Sequence, residues 1–391
     1  MVLEVGGWKL EIRTHCQIAH RFPISNFQRP TSNVQLLTST FTLLFLLTLT
    51  LAAVGCAAPP KEKVKLRALI AGSLMIPFDA LEKAYEAEHP EVDIEMEAHG
   101  SIQVIRHVTE IHELSDLVFT ADHALIPMLM YASRVPETGK PYADWYIKFA
   151  TNRLGLAYSP KSKYANEINA DNWYKVIARN DVRVGIADPR FDAAGYRALM
   201  ALQLAESFYG KRTIFEDMIM GRFKTALTTQ EENGRMVIHV PEIVETKPDS
   251  GIVIRGASIQ LIALLESGDL DYAFEYESVI AQHKLNLVKL PDAVNLGVEQ
   301  HADKYAQVRV LIDFQRFDSV KPEFNGEVIG YGVTIPANAP HPAEAGEFIA
   351  FVLSPKGRAI MEANQHPLIT PQADRYDVLP ARLKPLCAQK P

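Results

Sequence analysis

Cysteine is scarce in this sequence, with only Cys16, Cys56 and Cys387 among 391 residues. Thiols so few and so scattered exclude a disulfide framework and a cysteine-based metal site. Basic residues are also in deficit, 40 Lys and Arg against 47 Asp and Glu. Positions 1–56 hold Lys9, Arg13, Arg21 and Arg29 against Glu4 and Glu11, which leaves 36 basic and 45 acidic residues in the body, a net of −9. A body of that sign argues against nucleic-acid binding, and any anion it takes must be held by local donors against the overall field. The chain has no Gly-x-Ser-x-Gly elbow and no paired nucleophile and base. Histidines such as His99, His107 and His283 show no mutual spacing of a metal site, and read as surface or core residues. These absences weigh against an α/β hydrolase and point to a protein that is not an enzyme and needs no cofactor. Internal repeats and low-complexity stretches are missing too. Ordinary charge, 22%, with 48% hydrophobic residues excludes disorder and allows two domains, each with its own core.

Charge is absent altogether between Arg29 and Lys61, and within that gap Leu43 to Val54 form an apolar core shorter than the roughly 20 residues a membrane span needs. The core ends in Ala53-Val54-Gly55-Cys56, small residues before a cysteine, which resembles the lipobox at which bacterial and archaeal lipoproteins are cut and lipidated. Cys56 is then the lipidated residue. The plainer reading is a hydrophobic N-terminal anchor left uncleaved; both place the body on the outer face of the membrane. The stretch ahead of Arg29 exceeds what a signal needs, as a start codon placed too far upstream would explain. Pro59, Pro60 and Lys61-Glu62-Lys63 read as a tether. The expected organisation is a leader over 1–56, a tether over 57–63, a first lobe over 64–149, a second over 150–282, and a return to the first with a C-terminal tail over 283–391.

Within the body, Val64 to Ile70 alternate as a strand, turn through Ala71-Gly72-Ser73-Leu74, and run into a helix that opens with Pro77 and carries Phe78, Leu81 and Tyr85 on one face. Such a turn aims backbone N–H groups and a hydroxyl at whatever sits above it, and so makes an anion cradle. Val92 to Glu97 repeat the pattern and deliver Ala98-His99-Gly100-Ser101, followed by a helix with Ile105, Val108 and Ile111. A third strand, Ser115 to Thr120, and a third helix, Ala124 to Tyr131, follow. Trp145 to Tyr158 read as one longer strand-like run crossing into a second lobe. There Val182 to Ile186 end in a turn containing Asp192, with a helix from about Gly195 to Phe208. Val253 to Ile254 and Leu270 to Tyr276 are further strands, separated by a helix from Ile259 to Glu266. Ile329 to Pro336 and a helix from Ala343 to Val352 close the first lobe. Strands alternating with helices give parallel sheets whose ligands sit at the strands' carboxyl ends. Two α/β lobes joined by crossing segments, with Gly and Ser turns facing the gap, describe a hinged binding protein.

The succession Ala71-Gly72-Ser73-Leu74, His99-Gly100-Ser101, Asp122 through Leu125-Ile126-Pro127 to Leu129-Met130-Tyr131, Ala143-Asp144-Trp145-Tyr146, Ser162-Lys163-Tyr164-Ala165, Asn172-Trp173-Tyr174, Gly195-Tyr196-Arg197, Leu264-Leu265-Glu266-Ser267-Gly268 and Asp271-Tyr272-Ala273-Phe274-Glu275-Tyr276 resembles the archaeal-type tungstate/molybdate substrate-binding proteins of ABC importers. The resemblance, in order and spacing, spans residues 64 to 370. It implies a type II periplasmic-binding fold, a monomer that delivers its oxyanion to a membrane permease. It also implies that Gly72 and Ser73, Ser101, Asp192 with Ala193 and Ala194, and Tyr276 hold the oxyanion. The family's further glutamate falls at about Ser258, in Gly256-Ala257-Ser258, and Asp192-Ala193-Ala194 stands where Asp-Pro-Cys is usual.

A carboxylate about 4 Å from an anion repels it by roughly 4 kcal/mol per unit charge product at an effective dielectric of about 20. Asp192 is therefore favourable beside a dianion only if its oxygen bonds to molybdenum or tungsten itself. With the second carboxylate missing at Ser258, three arrangements are open. Glu275 supplies it, although strand alternation turns it away from Tyr276; the oxyanion stays four-coordinate, chosen by size; or Asp192 withdraws and orients a donor. The reading favoured is a tetrahedral or partly expanded oxyanion. Each residue has a plainer role: Ser73, Ser101 and Asp192 as helix N-caps, Tyr276 as a half-buried strand aromatic, Arg197 as the partner of a carboxylate. Rival functions are binding of sulfate or phosphate, hydrolysis, and the sensor domain of a transcription regulator.

Overall fold

The computed structural model describes residues 62–313 and 322–389; the leader, Cys56 and residues 57–61 of the tether lie outside them. The described residues, from Glu62 on, form one compact unit. Among the described residues no helix is long and apolar enough to cross a membrane.

The described residues form sixteen strands: β1 Val64–Ala71, β2 Val92–His99, β3 Leu117–Thr120, β4 Tyr146–Thr151, β5 Leu154–Tyr158, β6 Val184–Ala187, β7 Thr228–Glu232, β8 Arg235–Val240, β9 Ile252–Arg255, β10 Tyr272–Tyr276, β11 Asn286–Lys289, β12 Val308–Ile312, β13 Glu323–Asn325, β14 Gly330–Thr334, β15 Leu368–Asp374 and β16 Ala388–Gln389. A seven-stranded sheet of order β16-β15-β4-β14-β3-β1-β2 is the heart of the first lobe, and a five-stranded sheet of order β11-β5-β10-β6-β9 that of the second. In the first, β2, β1 and β3 run parallel; in the second, β10, β6 and β9 do. The chain has two α/β lobes and crosses between them twice, from β4 to β5 and again between β11 and β14.

The segment expected as one long strand over 145–158 is instead two strands in two different sheets. Asn152 and Arg153 form the break, because Arg153 N–H folds back onto Asn152 Oδ1 at 3.0 Å. The return also comes later than 283, since β11 still pairs with β5 in the second sheet. A four-stranded sheet of order β13-β12-β8-β7 was not foreseen. Its β7 reads Thr-Thr-Gln-Glu-Glu, with little apolar alternation to announce a strand.

The helices that position the site are α1 Met75–Glu88, α2 Ser101–Thr109, α3 Ala193–Tyr209, α4 Ile259–Ser267, α5 Glu277–Gln282 and α6 Pro342–Leu353. α1 buries Phe78, Leu81 and Tyr85. Phe78 meets Phe119 of β3 edge-on at 4.6 Å between ring centroids and Phe348 of α6 at 6.4 Å. Truncating such a buried ring to alanine costs about 3–5 kcal/mol. α3 is buried all round from Ala193 to Glu206, which makes it the central helix of the second lobe, and it stops at Gly210 in the left-handed conformation, φ 63°. The four-stranded sheet covers it, with Phe324 of β13 stacked on Tyr196 at 4.3 Å.

Register decides where the ligand turns meet. Ala71 pairs with His99, so β1 and β2 end flush and the Gly72-Ser73 and Gly100-Ser101 turns lie side by side. Ala187 pairs with Arg255, which aligns the turns after β6 and β9 in the same way. The two sets face each other in contact. A Cβ at Gly100 would stand 2.4 Å from Phe191 O, 2.9 Å from Asp192 Cβ and 2.9 Å from Gly256 O, all in the opposite lobe. Only glycine allows this closure. Gly100→Ala should leave each lobe folded, with unchanged far-UV circular dichroism, while small-angle scattering reports a larger radius of gyration than wild type; an equal radius would contradict a closure limited at this position.

Candidate functional site

Strand β1 runs directly into a 3-10 turn, Gly72–Leu74, and then α1, so the helical path begins at Gly72 rather than at Pro77. Ser73 is not a cap: no side chain caps either segment, and its Oγ lies 2.9 Å from the Tyr331 hydroxyl of β14. Ser101 is the first residue of α2, and it too caps nothing. Its Oγ accepts the Ala121 N–H at 2.9 Å. The next two N–H groups of α2, from Ile102 and Gln103, donate across the interlobe gap to Phe191 O at 3.1 and 3.2 Å. Ser101 N–H, first in the helix, has no helical partner.

In the second lobe Asp192 is the N-cap of α3. Its Oδ1 accepts Ala194 N–H at 3.0 Å and its Oδ2 accepts Ser258 N–H at 2.8 Å. The carboxylate thus takes the capping role and also ties the turn after β6 to the turn after β9. Ala194 N–H, expected to face the ligand, is committed to Asp192; Ala193 N–H, first in α3, is not held by the helix. Burial pushes the Asp192 carboxyl upward, with the two backbone N–H groups and Arg197 opposing.

Tyr276 ends β10. Its hydroxyl accepts Arg197 Nη1 at 2.7 Å, and the same nitrogen donates to Ala121 O of the first lobe at 2.7 Å. Arg197 Nη2 lies 3.3 Å from Asp122 Oδ2. Arg197 is therefore the partner of a carboxylate, as its position in the helix indicated, and the same guanidinium fixes Tyr276. Tyr196 also donates to Asp122. Burial raises the phenols of Tyr276 and Tyr331, so both stay protonated.

Glu275 departs most from expectation. Alternation would turn it away from Tyr276, yet its carboxyl reaches back around the end of the strand, with Oε1 accepting Tyr276 N–H at 2.7 Å. Asp192 and the Ser258 side chain are its neighbours there. Burial, with the Asp192 charge adding, pushes its carboxyl up to about 8, and Oε2 has no hydrogen-bond partner. The strand ends one residue later, so the alternation rule has no further pleat to enforce.

Asn152, Ser278 and Tyr331 also belong to the site and were not singled out from the sequence. Asn152 Oδ1 accepts the N–H groups of Arg153 and Ser278 at 3.0 and 3.4 Å, which fixes the amide orientation. Its Nδ2 then donates to Ser278 Oγ at 2.8 Å and Tyr331 Oη at 3.1 Å. The available signal was the polar stretch Thr151-Asn152-Arg153 interrupting a largely apolar run. Ser73, Ser101, Asp192, Ala194, Ser258 and Tyr276 thus take part in buried hydrogen bonds on the two sides of the gap, with Tyr276 and Tyr331 at 6.1 Å between rings, while Gly72 and Ala193 are buried beside Ser73 and Asp192.

A common polarity runs through this network. Ser101 accepts from a backbone N–H, Tyr276 from a guanidinium, and Tyr331 and Ser278 from an amide. Each oxygen is held as an acceptor by a donor that cannot reverse, so each hydroxyl has its own proton to give. Tyr331 can give its proton to Ser73, whose proton is then free in turn. The arrangement offers hydrogen-bond donors to an acceptor-only guest.

Residues 66–364 match the family described as bacterial extracellular solute-binding protein. An uncharacterised solute-binding protein of Methanoculleus marisnigri is 39% identical over 330 residues, 84% of this chain and 88% of that one. Another, of Staphylothermus marinus, is 39% identical over 305 residues, 76% of this chain and 82% of the relative. Among solved structures, the sulfate-binding protein SubI from Mycobacterium tuberculosis superposes with a TM-score of 0.51 at 12% identity, covering 83% of this chain and 92% of that one, a likeness of fold. The chain belongs to the bacterial extracellular solute-binding protein family.

Proposed function

We propose that the chain, as a monomer outside the cell tethered through Cys56, captures tungstate or molybdate between its lobes and delivers it to the permease of an ABC importer. The observation that carries this reading is the polarity of the hydroxyls. Ser101, Tyr276 and Ser278 accept from fixed N–H donors and keep a proton to donate, and Tyr331, set the same way, passes its proton to Ser73 and frees that of the serine, which suits a guest made only of acceptor oxygens. A fully deprotonated tetrahedral oxyanion is such a guest; hydrogen phosphate, with a proton of its own, is a poorer one. Sulfate shares the polarity, and the resemblance of the turns to tungstate/molybdate proteins together with selection by size favours the larger oxyanions.

Asp192 has both oxygens engaged by backbone N–H groups, so in this reading it orients the turns and the oxyanion remains four-coordinate. Glu275 joins it as a neutral acid. Below about pH 8 its carboxyl is protonated, and Oε2, with no other partner, can carry the proton and donate it to the guest.

Calorimetric titration should show saturable binding of tungstate and molybdate, and equimolar sulfate should fail to displace either; displacement at equal concentration would overturn the metal-oxyanion reading in favour of sulfate. Ser101→Ala and Tyr276→Phe should each weaken binding by about ten- to a hundredfold, the worth of one hydrogen bond to a charged group. Ser73→Ala should cost at least as much as Asp192→Ala, because donors rather than a metal–carboxylate bond hold the guest.

The pH dependence has a definite sign. With the Glu275 carboxyl near 8, affinity should fall as pH rises through 8, because ionisation places a negative charge beside the dianion. Glu275→Gln should bind with a flat profile across the same range. An affinity that climbs with pH would mean that the ionised carboxylate is a ligand. Without ligand, the folded state holds a proton that the unfolded state has lost between about 4.5 and 8, so stability should decline with rising pH in that window, and less so in Glu275→Gln.

A further inference from the structure

Just before the Gly100-Ser101 turn, β2 ends in a second group of chemistry-bearing side chains. Glu97 and His99 are two residues apart and share one face of the strand. His107, on α2, brings its ring to 4.4 Å from that of His99, nearly parallel at 28°. Sequence spacing hides this pairing, because a strand and the following helix bring the residues together. His99 Nε2 lies 2.8 Å from Glu97 Oε1, and one ligand atom from each of Glu97, His99 and His107 lies within 4.8 Å of the others. All three are half-buried, so solvent reaches them while their neighbours hold them in place.

The surroundings of these three residues also fit an ion. Glu113 Oε2 is 2.5 Å from His107 Nδ1, which fixes the ring and leaves Nε2 as the atom for a metal. Arg67 Nη2 lies 2.9 Å from Glu97 Oε2 and also contacts Glu113 Oε1. One guanidinium nitrogen therefore orients both carboxylates, and each turns its other oxygen toward a histidine. Two carboxylates against one arginine leave a net charge of −1 to offset a cation.

We propose that Glu97, His99 and His107 bind a divalent transition-metal ion. Two imidazoles and a carboxylate suit Zn²⁺, or Cu²⁺ and Ni²⁺, rather than Mg²⁺ or Ca²⁺. Three protein ligands leave the fourth tetrahedral position to water. The site shares no residue with the interlobe network and takes a cation rather than an anion, so the two differ in ligands and in charge.

The test is calorimetric titration of the full chain, stripped with chelator, with Zn²⁺ alone. The expected result is one saturable site, weakened about tenfold or more by His99→Gln and by His107→Gln and unchanged by His301→Gln, a histidine elsewhere on the surface. Substituting Co²⁺ should give the visible absorption of a tetrahedral site, lost in the same two variants. Far-UV circular dichroism of each variant separates loss of a ligand from loss of the fold. No saturation up to about 1 mM Zn²⁺, or saturation indifferent to both His99 and His107, would overturn the proposal.

Discussion

The guanidinium of Arg197 is the interaction on which the closed arrangement depends. It is buried in α3 of the second lobe, yet one nitrogen donates to Ala121 O of the first and to Tyr276 Oη of its own, while the other lies beside Asp122. An isolated charge at that depth would cost several kcal/mol, and it is tolerated only because carboxylate, carbonyl and phenol surround it. Opening the lobes would separate the cation from Asp122 and Ala121, so closure and charge satisfaction occur together. The backbone donors of Ile102 and Gln103 on Phe191 O and the absence of a side chain at Gly100 complete the contact.

From that anchor the polarity of the site propagates. Arg197 can only donate, so Tyr276 must accept and can give its own proton. Asn152, pinned by two backbone N–H groups on its oxygen, can only donate through its nitrogen, so Tyr331 and Ser278 are set the same way. In a medium of low dielectric such aligned donors interact strongly with an anion at no cost of reorganisation. A dianion between the lobes would be held through orientation, with little help from a body whose net charge is −9.

The turns were legible in the sequence because Gly-Ser closes an alternating strand and opens a helical pattern twice, at Gly72-Ser73 and Gly100-Ser101. The two-lobed α/β fold followed from strands alternating with helices. The roles within the site were less legible. Ser73 and Ser101 stand where caps stand, and only tertiary contacts with Tyr331 and Ala121 show otherwise. Asp192 meets the capping expectation and adds a second bond to Ser258 that no local pattern contains. Glu275 was discounted on alternation, a rule that assumes the strand continues; β10 stops at Tyr276 and frees the carboxyl to fold back. Asn152 lay hidden inside a run that read as one strand, because the apolar residues on both sides outweighed the short polar stretch Thr151-Asn152-Arg153. The pairing of His99 with His107 depends on how α2 packs on β2, which residue spacing does not encode.

The central claim is that oriented hydroxyl and N–H donors hold the guest, with Asp192 and Glu275 serving as an organiser of turns and a neutral acid rather than as bonds to the metal. X-ray absorption at the tungsten edge of the tungstate complex measures this directly. The account predicts four oxygen neighbours at a single bond length; six, with two longer bonds from carboxylates, would contradict it.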